Sequence, residues 1–169
     1  AGVIPDIMCL SKGLTGGSLP LAVTLCIEPI FAAHYSTDRA KTFYHSSSYT
    51  ANPIACAAAV ANLEIWRDEP VQGRIDALAD AQAAHLSLLG HDPRIAGPRR
   101  LGTIAALDIV VPDGGYLSNL APRLIAFYRD HGILLRPLGN TLYVMPPYCI
   151  TAEELAQVWD AIRASLEVI

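Results

Sequence analysis

Lysine is scarce in this chain. Of the 12 basic residues among 169, ten are arginine and only Lys12 and Lys41 are lysine, so chemistry that needs a lysine amine has two candidates. Charge is thin overall: 17% of residues are charged against 52% hydrophobic, with a net charge of -4. A disordered chain needs the opposite composition, and a basic footprint for nucleic acid is absent, so no nucleic-acid partner is expected. No apolar run reaches the roughly 18 residues of a membrane span, so no membrane partner is expected either. Cysteine is limited to Cys9, Cys26, Cys56 and Cys149. No pair has the spacing of a metal or redox site, and no metal is expected. Apolar neighbours, as in Met8-Cys9-Leu10 and Leu25-Cys26-Ile27, predict buried free thiols. That fits a reducing, cytoplasmic location. The opening Ala1 to Asp6 lacks the charged and apolar regions of a signal peptide. It reads as a chain entered mid-stream, with a trimmed terminus as the alternative.

The length corresponds to about one domain at roughly 150 residues each, enough to bury a core without staples. Residues 1–52 carry only six charged side chains, with Gly, Ser and Thr clusters between short apolar runs. The pattern predicts a short buried strand at Ile7 to Leu10, a Gly-rich loop at Ser11 to Leu19 and a core strand at Leu21 to Ile27. A helix with proline in its first turn follows at Pro29 to Tyr35. His45 to Ala51 is a polar loop, and Asn52-Pro53 pairs an N-cap with proline at the first helical position. The run Ala55-Cys56-Ala57-Ala58-Ala59 suits a helix packed closely on a neighbour.

Further along, the spacing predicts a helix over 71–89, a strand over 101–110, a turn at Val111 to Gly115 and a helix from Leu117 to Gly132. Short strands are expected at Ile133 to Arg136 and Leu142 to Met145. Thr151-Ala152-Glu153-Glu154 is a capping box that opens the last helix. Strands mixed with helices give the class α/β then α+β. Arg99-Arg100 is expected to be a solvated pair in a loop. Asp113-Gly114-Gly115 is read as a turn, since further oxygen ligands for calcium are missing. Trp66 and Trp159 fall on helices, in core or interface.

Three stretches carry chemistry. In Ser11-Lys12-Gly13-Leu14-Thr15-Gly16-Gly17, a lysine directly follows a buried strand among small residues that leave room for a flat ring. A Schiff-base lysine must be partly unprotonated, which desolvation or a nearby cation promotes. A surface lysine in a glycine turn is the other reading; Lys41, in Asp38-Arg39-Ala40-Lys41-Thr42, is read as solvated. In His45-Ser46-Ser47-Ser48-Tyr49-Thr50-Ala51-Asn52-Pro53, a hydroxyl-dense loop leads into a helix N-terminus, where donors and dipole favour an anion. An ordinary serine-rich loop has the same composition, and His45 is read as a packed, hydrogen-bonded histidine. In Leu134-Leu135-Arg136-Pro137-Leu138-Gly139-Asn140-Thr141-Leu142-Tyr143-Val144-Met145-Pro146-Pro147-Tyr148, Arg136 stands between an apolar run and a turn. Its planar fork suits a carboxylate, or a surface ion pair.

Pro5 to Gly17 closely resembles the cofactor-lysine segment of class III aminotransferases, pyridoxal 5'-phosphate enzymes of fold type I. The other two stretches resemble later family segments in the same order. The resemblance implies that residues 1–70 are the end of the large cofactor-binding domain, with the lysine loop and an interdomain helix. Residues 71–169 are then the small C-terminal α+β domain. It implies that Lys12 is the catalytic lysine, holding pyridoxal phosphate and then serving as general base and acid. It places Ser48, with Ser47 beside it, at the phosphate of the neighbouring subunit's cofactor, so that a homodimer shares its active sites. It gives Arg136 the substrate carboxylate and Tyr143 a weaker substrate contact. Within the family the chain is most similar to members that aminate 8-amino-7-oxononanoate to 7,8-diaminononanoate in biotin synthesis, with S-adenosylmethionine as donor. An ω-amino acid:pyruvate activity is the sibling reading.

The family places a Gly/Ser phosphate loop, a ring-stacking aromatic and an aspartate for the pyridinium nitrogen upstream of the lysine. Only eleven residues precede Lys12, and Asp6 belongs to the lysine strand itself. The chain is therefore expected to be the C-terminal part of a longer enzyme, incomplete for catalysis alone. A non-catalytic remnant that binds partners is the reading from a different class. Either way, apolar patches larger than a monomer tolerates are expected on its surface.

Overall fold

The computed structural model describes residues 2–45 and 47–169; Ala1 of the opening and Ser46 of the hydroxyl loop lie outside them. Strands and helices are mixed throughout, and the chain divides into two compact units, residues 1–70 and 71–169.

In the first unit, strand β1 (Ile7–Leu10) pairs antiparallel with β2 (Val23–Cys26), with Cys9 opposite Thr24. Helix α1 (Glu28–His34) starts with proline in its first turn. Helix α2 (Pro53–Asp68) starts where Asn52 Oδ1 accepts from the N–H groups of Ile54 (3.0 Å) and Ala55 (3.4 Å). Ala55, Ala59 and Asn62 fall on one face of α2, by helical spacing. That face meets the 3-10 turn Lys12–Thr15, and Ala55 and Ala59 are buried. Alanine has no bulk to hold the two backbones apart.

Both strands were expected to be buried, yet all eight of their residues are exposed. Among the described residues of this unit only Thr15, Ala55 and Ala59 are buried. A ribbon apolar at consecutive positions needs cover on both faces, as in the interior of a larger sheet, and hydrophobicity alone does not supply the cover. The thiols correct in the same way: Cys9, Cys26 and Cys149 are exposed and Cys56 is half-buried, all four free. Apolar sequence neighbours do not bury a thiol; that takes chain from elsewhere.

The second unit is built on a three-stranded antiparallel sheet in the order β3-β4-β5, formed by Ile95–Leu101, Ile104–Ile109 and Thr141–Val144. Ala105, Leu107, Ile109, Leu142 and Val144 alternate onto its inner face. Helices α3 (Val71–Leu89), α4 (Leu120–Asp130) and α5 (Ala152–Ser165) supply Leu86, Leu124, Tyr128, Leu155, Trp159 and Ile162 to the same core. Thr151 Oγ1 accepts from Glu154 N and Glu154 Oε2 accepts from Thr151 N, completing the expected capping box. Trp159 is buried, whereas Trp66 is half exposed. Among the described residues no helix is long and apolar enough to cross a membrane.

Four local expectations need correction. The strand expected over 101–110 is a hairpin, because Gly102 takes φ 57° and turns the chain between β3 and β4. Strand β3 went unread because Gly97-Pro98 looks like a turn. The pair sits at a register shift in an edge strand, where proline's missing N–H is tolerated. Arg99-Arg100 is thus on a strand. Arg99 donates from Nη1 and Nη2 to Asp108 at 2.9 and 3.1 Å, and its guanidinium holds the Asp108 carboxyl below the usual range. Helix α4 begins later than Leu117, since the Asp113 carboxylate accepts from Ser118 Oγ and Asn119 N and keeps that stretch as a loop. Ile133 to Arg136 has no strand pairing among the described residues.

Candidate active site

Lys12 opens the 3-10 turn directly after β1, so a paired strand fixes its backbone on one side. The turn is closed by Leu14 N donating to Ser11 O (2.8 Å) and Gly17 N to Lys12 O (3.0 Å). The buried Thr15 donates to Leu19 O (2.6 Å), which folds the Gly-rich stretch back on itself. From α2, Asn62 Nδ2 donates to Gly13 O (2.9 Å) and Leu14 O (3.1 Å). The lysine backbone is therefore held between a strand and a helix, while its side chain is exposed. Among the described residues no carboxylate pairs with its amine. A shallow, solvent-open hollow of about 400 Å³ is lined by Cys9, Leu10, Ser11, Lys12, Gly13 and Leu14.

Asn62 was not read from the sequence. Its signal was an asparagine inside an alanine-rich helix, where asparagine has poor propensity and a long-range partner is the better explanation.

The hydroxyl loop differs from the simple anion site it suggested. The carboxamide of Asn52 already accepts from the second and third N–H groups of α2, so the helix N-terminus spends them on its own cap. Ser47 Oγ accepts from Tyr49 N at 3.3 Å, and Ser48 stands exposed in the following turn. Ala51, just before the cap, has φ 54°, a left-handed conformation uncommon for a residue with a Cβ. His45 stacks on Phe43 with ring centroids 5.8 Å apart.

Arg136 and Tyr143 belong to the second unit. Arg136 is exposed, in a segment without helix or strand, and among the described residues makes no ion pair. Four other arginines, at 67, 94, 99 and 163, are paired with carboxylates. Tyr143 lies half-buried on β5 opposite Ala106, on the face away from Leu142 and Val144. Thr141 Oγ1 donates to Asp108 Oδ1 at 2.7 Å, fixing the start of that strand. The candidate residues thus fall in two groups, Lys12 with Ser47 and Ser48 in one unit and Arg136 with Tyr143 in the other. Among the described residues no group of three or more His, Cys, Asp and Glu side chains is placed to hold a metal.

Within the first unit, a backbone-fixed lysine without a carboxylate partner among the described residues suits amine chemistry; within the second, an arginine fork without one suits a carboxylate. The aminotransferase class-III family matches residues 1–166, and the chain belongs to that family of pyridoxal-phosphate-dependent enzymes. It is 47% identical over its full length to the adenosylmethionine-8-amino-7-oxononanoate aminotransferase of Synechococcus elongatus, covering 39% of that protein. It is 35% identical to the protein of the same name from Corynebacterium glutamicum, with 98% of this chain and 38% of that one aligned. The crystal structure of the Methanocaldococcus jannaschii protein of that name superposes with a TM-score of 0.87 at 32% identity, over 97% of this chain and 39% of that one. An (S)-enantioselective omega-transaminase from Thermomicrobium roseum superposes with a TM-score of 0.86 at 28% identity, over 98% of this chain and 38% of that one. The chain spans about two fifths of the length of these relatives.

Proposed function

We propose that this chain is the lysine-bearing part of an aminotransferase that converts 8-amino-7-oxononanoate to 7,8-diaminononanoate, with S-adenosylmethionine as the amino donor. The observation that carries the reading is Lys12: a primary amine without a carboxylate partner among the described residues, fixed at a strand end beside a solvent-open hollow of about 400 Å³. The identity of 47% along the whole chain to a protein named for that reaction supports the choice of substrate.

The residues present suit pyridoxal phosphate. An amine, small neighbours at Ser11 and Gly13, and a hydroxyl-dense loop at Ser47 to Thr50 are part of the donor set such a group needs. Lys12 would hold the cofactor through Nζ; Ser48, with Ser47 beside it, would donate to its phosphate across a homodimer. When bound, the cofactor supplies the electron sink, and the protein supplies orientation and electrostatics. Lys12 Nζ would take the carbon-bound proton and return it, as general base and then acid. Arg136 binds the acceptor's carboxylate in bidentate fashion, and Tyr143 makes a weaker substrate contact. Residues 1–70 then form the end of the large domain, and 71–169 the small C-terminal domain.

The test is chemical trapping. The protein is mixed with pyridoxal phosphate, reduced with borohydride and digested for peptide mass mapping. The adduct is expected on Lys12 and not Lys41, with a visible absorption band that Lys12→Ala abolishes. Equal labelling of both lysines would refute the assignment. Substrate profiling decides the sibling reading: transfer to pyruvate, with none to the oxononanoate, would replace the acceptor proposed here.

A further inference from the structure

The turn that follows Arg136 comes just before β5. Leu138 and Thr141 exchange two backbone hydrogen bonds (2.8 and 3.0 Å) around Gly139-Asn140. Gly139 takes φ 62°, and a Cβ there would overlap the Gly115 carbonyl oxygen and the Tyr116 backbone. The loop after β4 thus lies directly against the turn, and only glycine admits it. Asn140 ties the three segments together. Its Nδ2 donates to Ile109 O (2.8 Å), its Oδ1 accepts from Gly115 N (2.6 Å), and its carbonyl accepts from Ile109 N (2.8 Å). The far end of that loop is held by Asp113, which accepts from Ser118 Oγ and Asn119 N.

We propose that Asn140 is a positioning residue: its carboxamide clamps the turn to the end of β4 and to the 113–116 loop, and so fixes where the Arg136 guanidinium is offered to a substrate carboxylate. This rests on the assignment of Arg136 to the carboxylate. A bidentate pair demands a fixed orientation of the planar fork. Leu138, two residues after Arg136, is anchored by its hydrogen bonds with Thr141, and Arg136 has no ion pair among the described residues, so the turn sets where the Arg136 backbone emerges.

The experiment has two readouts on the whole chain, ¹⁵N backbone order parameters and an NMR titration with nonanoate, a nine-carbon monocarboxylate. In the unchanged protein residues 136 and 138–141 should show order parameters near about 0.85, the value of rigid backbone. Asn140→Ala should bring them below about 0.6 and weaken nonanoate binding about tenfold, since two hydrogen bonds are lost. Asn140→Asp keeps the acceptor for Gly115 N but cannot donate to Ile109 O, and should fall between. A folded Asn140→Ala protein with unchanged order parameters and affinity overturns the proposal. If that variant does not fold, an Asp variant equal to the unchanged protein in both readouts overturns it, as does an unchanged protein whose turn is already below about 0.6. Nonanoate binding that survives Arg136→Ala refutes the carboxylate assignment instead, and the order parameters still judge the clamp.

Discussion

Gln82 lies in the middle of α3 with no exposed surface, the one fully buried amide in the core of the second unit. Its Nε2 donates to Thr103 O (3.1 Å) and Val144 O (3.3 Å), and its Oε1 accepts from Trp159 Nε1 (2.9 Å). One side chain therefore joins α3 to the β3–β4 turn, to the end of β5 and to α5. Gln82→Met keeps the length and removes every polar atom. Trp159 Nε1 then has no acceptor although the indole is only 1% exposed, and two carbonyls lose a donor. A buried group left unsatisfied costs about 1–3 kcal/mol. The indole N–H bears the full cost, and the carbonyls, each with a second lone pair, bear less. A loss of about 3 kcal/mol is expected. For a unit of this size each kcal/mol moves Tm by about 4–8 °C, so the transition should fall by roughly 12–24 °C. Circular dichroism melting and urea unfolding measure it. Trp159→Phe alone leaves Gln82 Oε1 unpaired, and the double variant strands neither side of that bond, so the cycle should show a coupling of at least about 1 kcal/mol. A Gln82→Met protein within about 0.5 kcal/mol of the original would refute the reasoning, because buried amides replaced without cost carry no unmet partners.

Two further changes test other parts of the fold. Tyr128 is wholly buried and donates to Ser165 Oγ, which itself donates to Ile162 O; burial pushes its phenol up to about 12. The fold favours the neutral form, so its contribution is complete below pH about 10, the unfolded value, and is lost as pH rises through about 12. The urea midpoint should fall over that window, and Tyr128→Phe should flatten the fall; identical slopes in the two proteins would remove Tyr128 as the cause. At Ala51 the left-handed φ of 54° costs about 1 kcal/mol or more for a residue with a Cβ. Ala51→Gly should raise Tm slightly despite the added freedom of the unfolded chain, and Ala51→Val should lower it. A glycine variant less stable than the original contradicts that account.

The features legible in the sequence are those decided within a few residues. Asn52-Pro53 starts α2 because the carboxamide accepts from the N–H groups of Ile54 and Ala55 while the proline ring presets a helical φ. The Thr151 capping box is complete for the same reason, and α3 runs over the predicted 71–89. What stayed hidden depends on chain far away. The edge position that excuses Pro98, the cover that β1 and β2 and their thiols lack, and the missing partner for Ile133 to Arg136 are facts about neighbours, and neighbours are not written locally.

The site divides along the same line. Lys12 was legible because a lone lysine between an apolar strand and a run of small residues is unusual in itself. Two asparagines that hold the site were not. Asn62 reaches 49 residues back to Gly13 O, and Asn140 reaches 31 residues back to Ile109 O and 25 to Gly115 N. Each does what Asn52 does at its helix start, offering a short, neutral carboxamide to backbone groups that no ladder serves. Asn52 was visible because its partners are two and three residues ahead. The transferable signal is a negative one. An asparagine where the local element gives it no reason to be, in mid-helix for Asn62 or in the second central position of a turn that Gly139 already shapes, marks backbone brought close from a distance. Here both such places lie beside the residues proposed for the chemistry, Lys12 and Arg136.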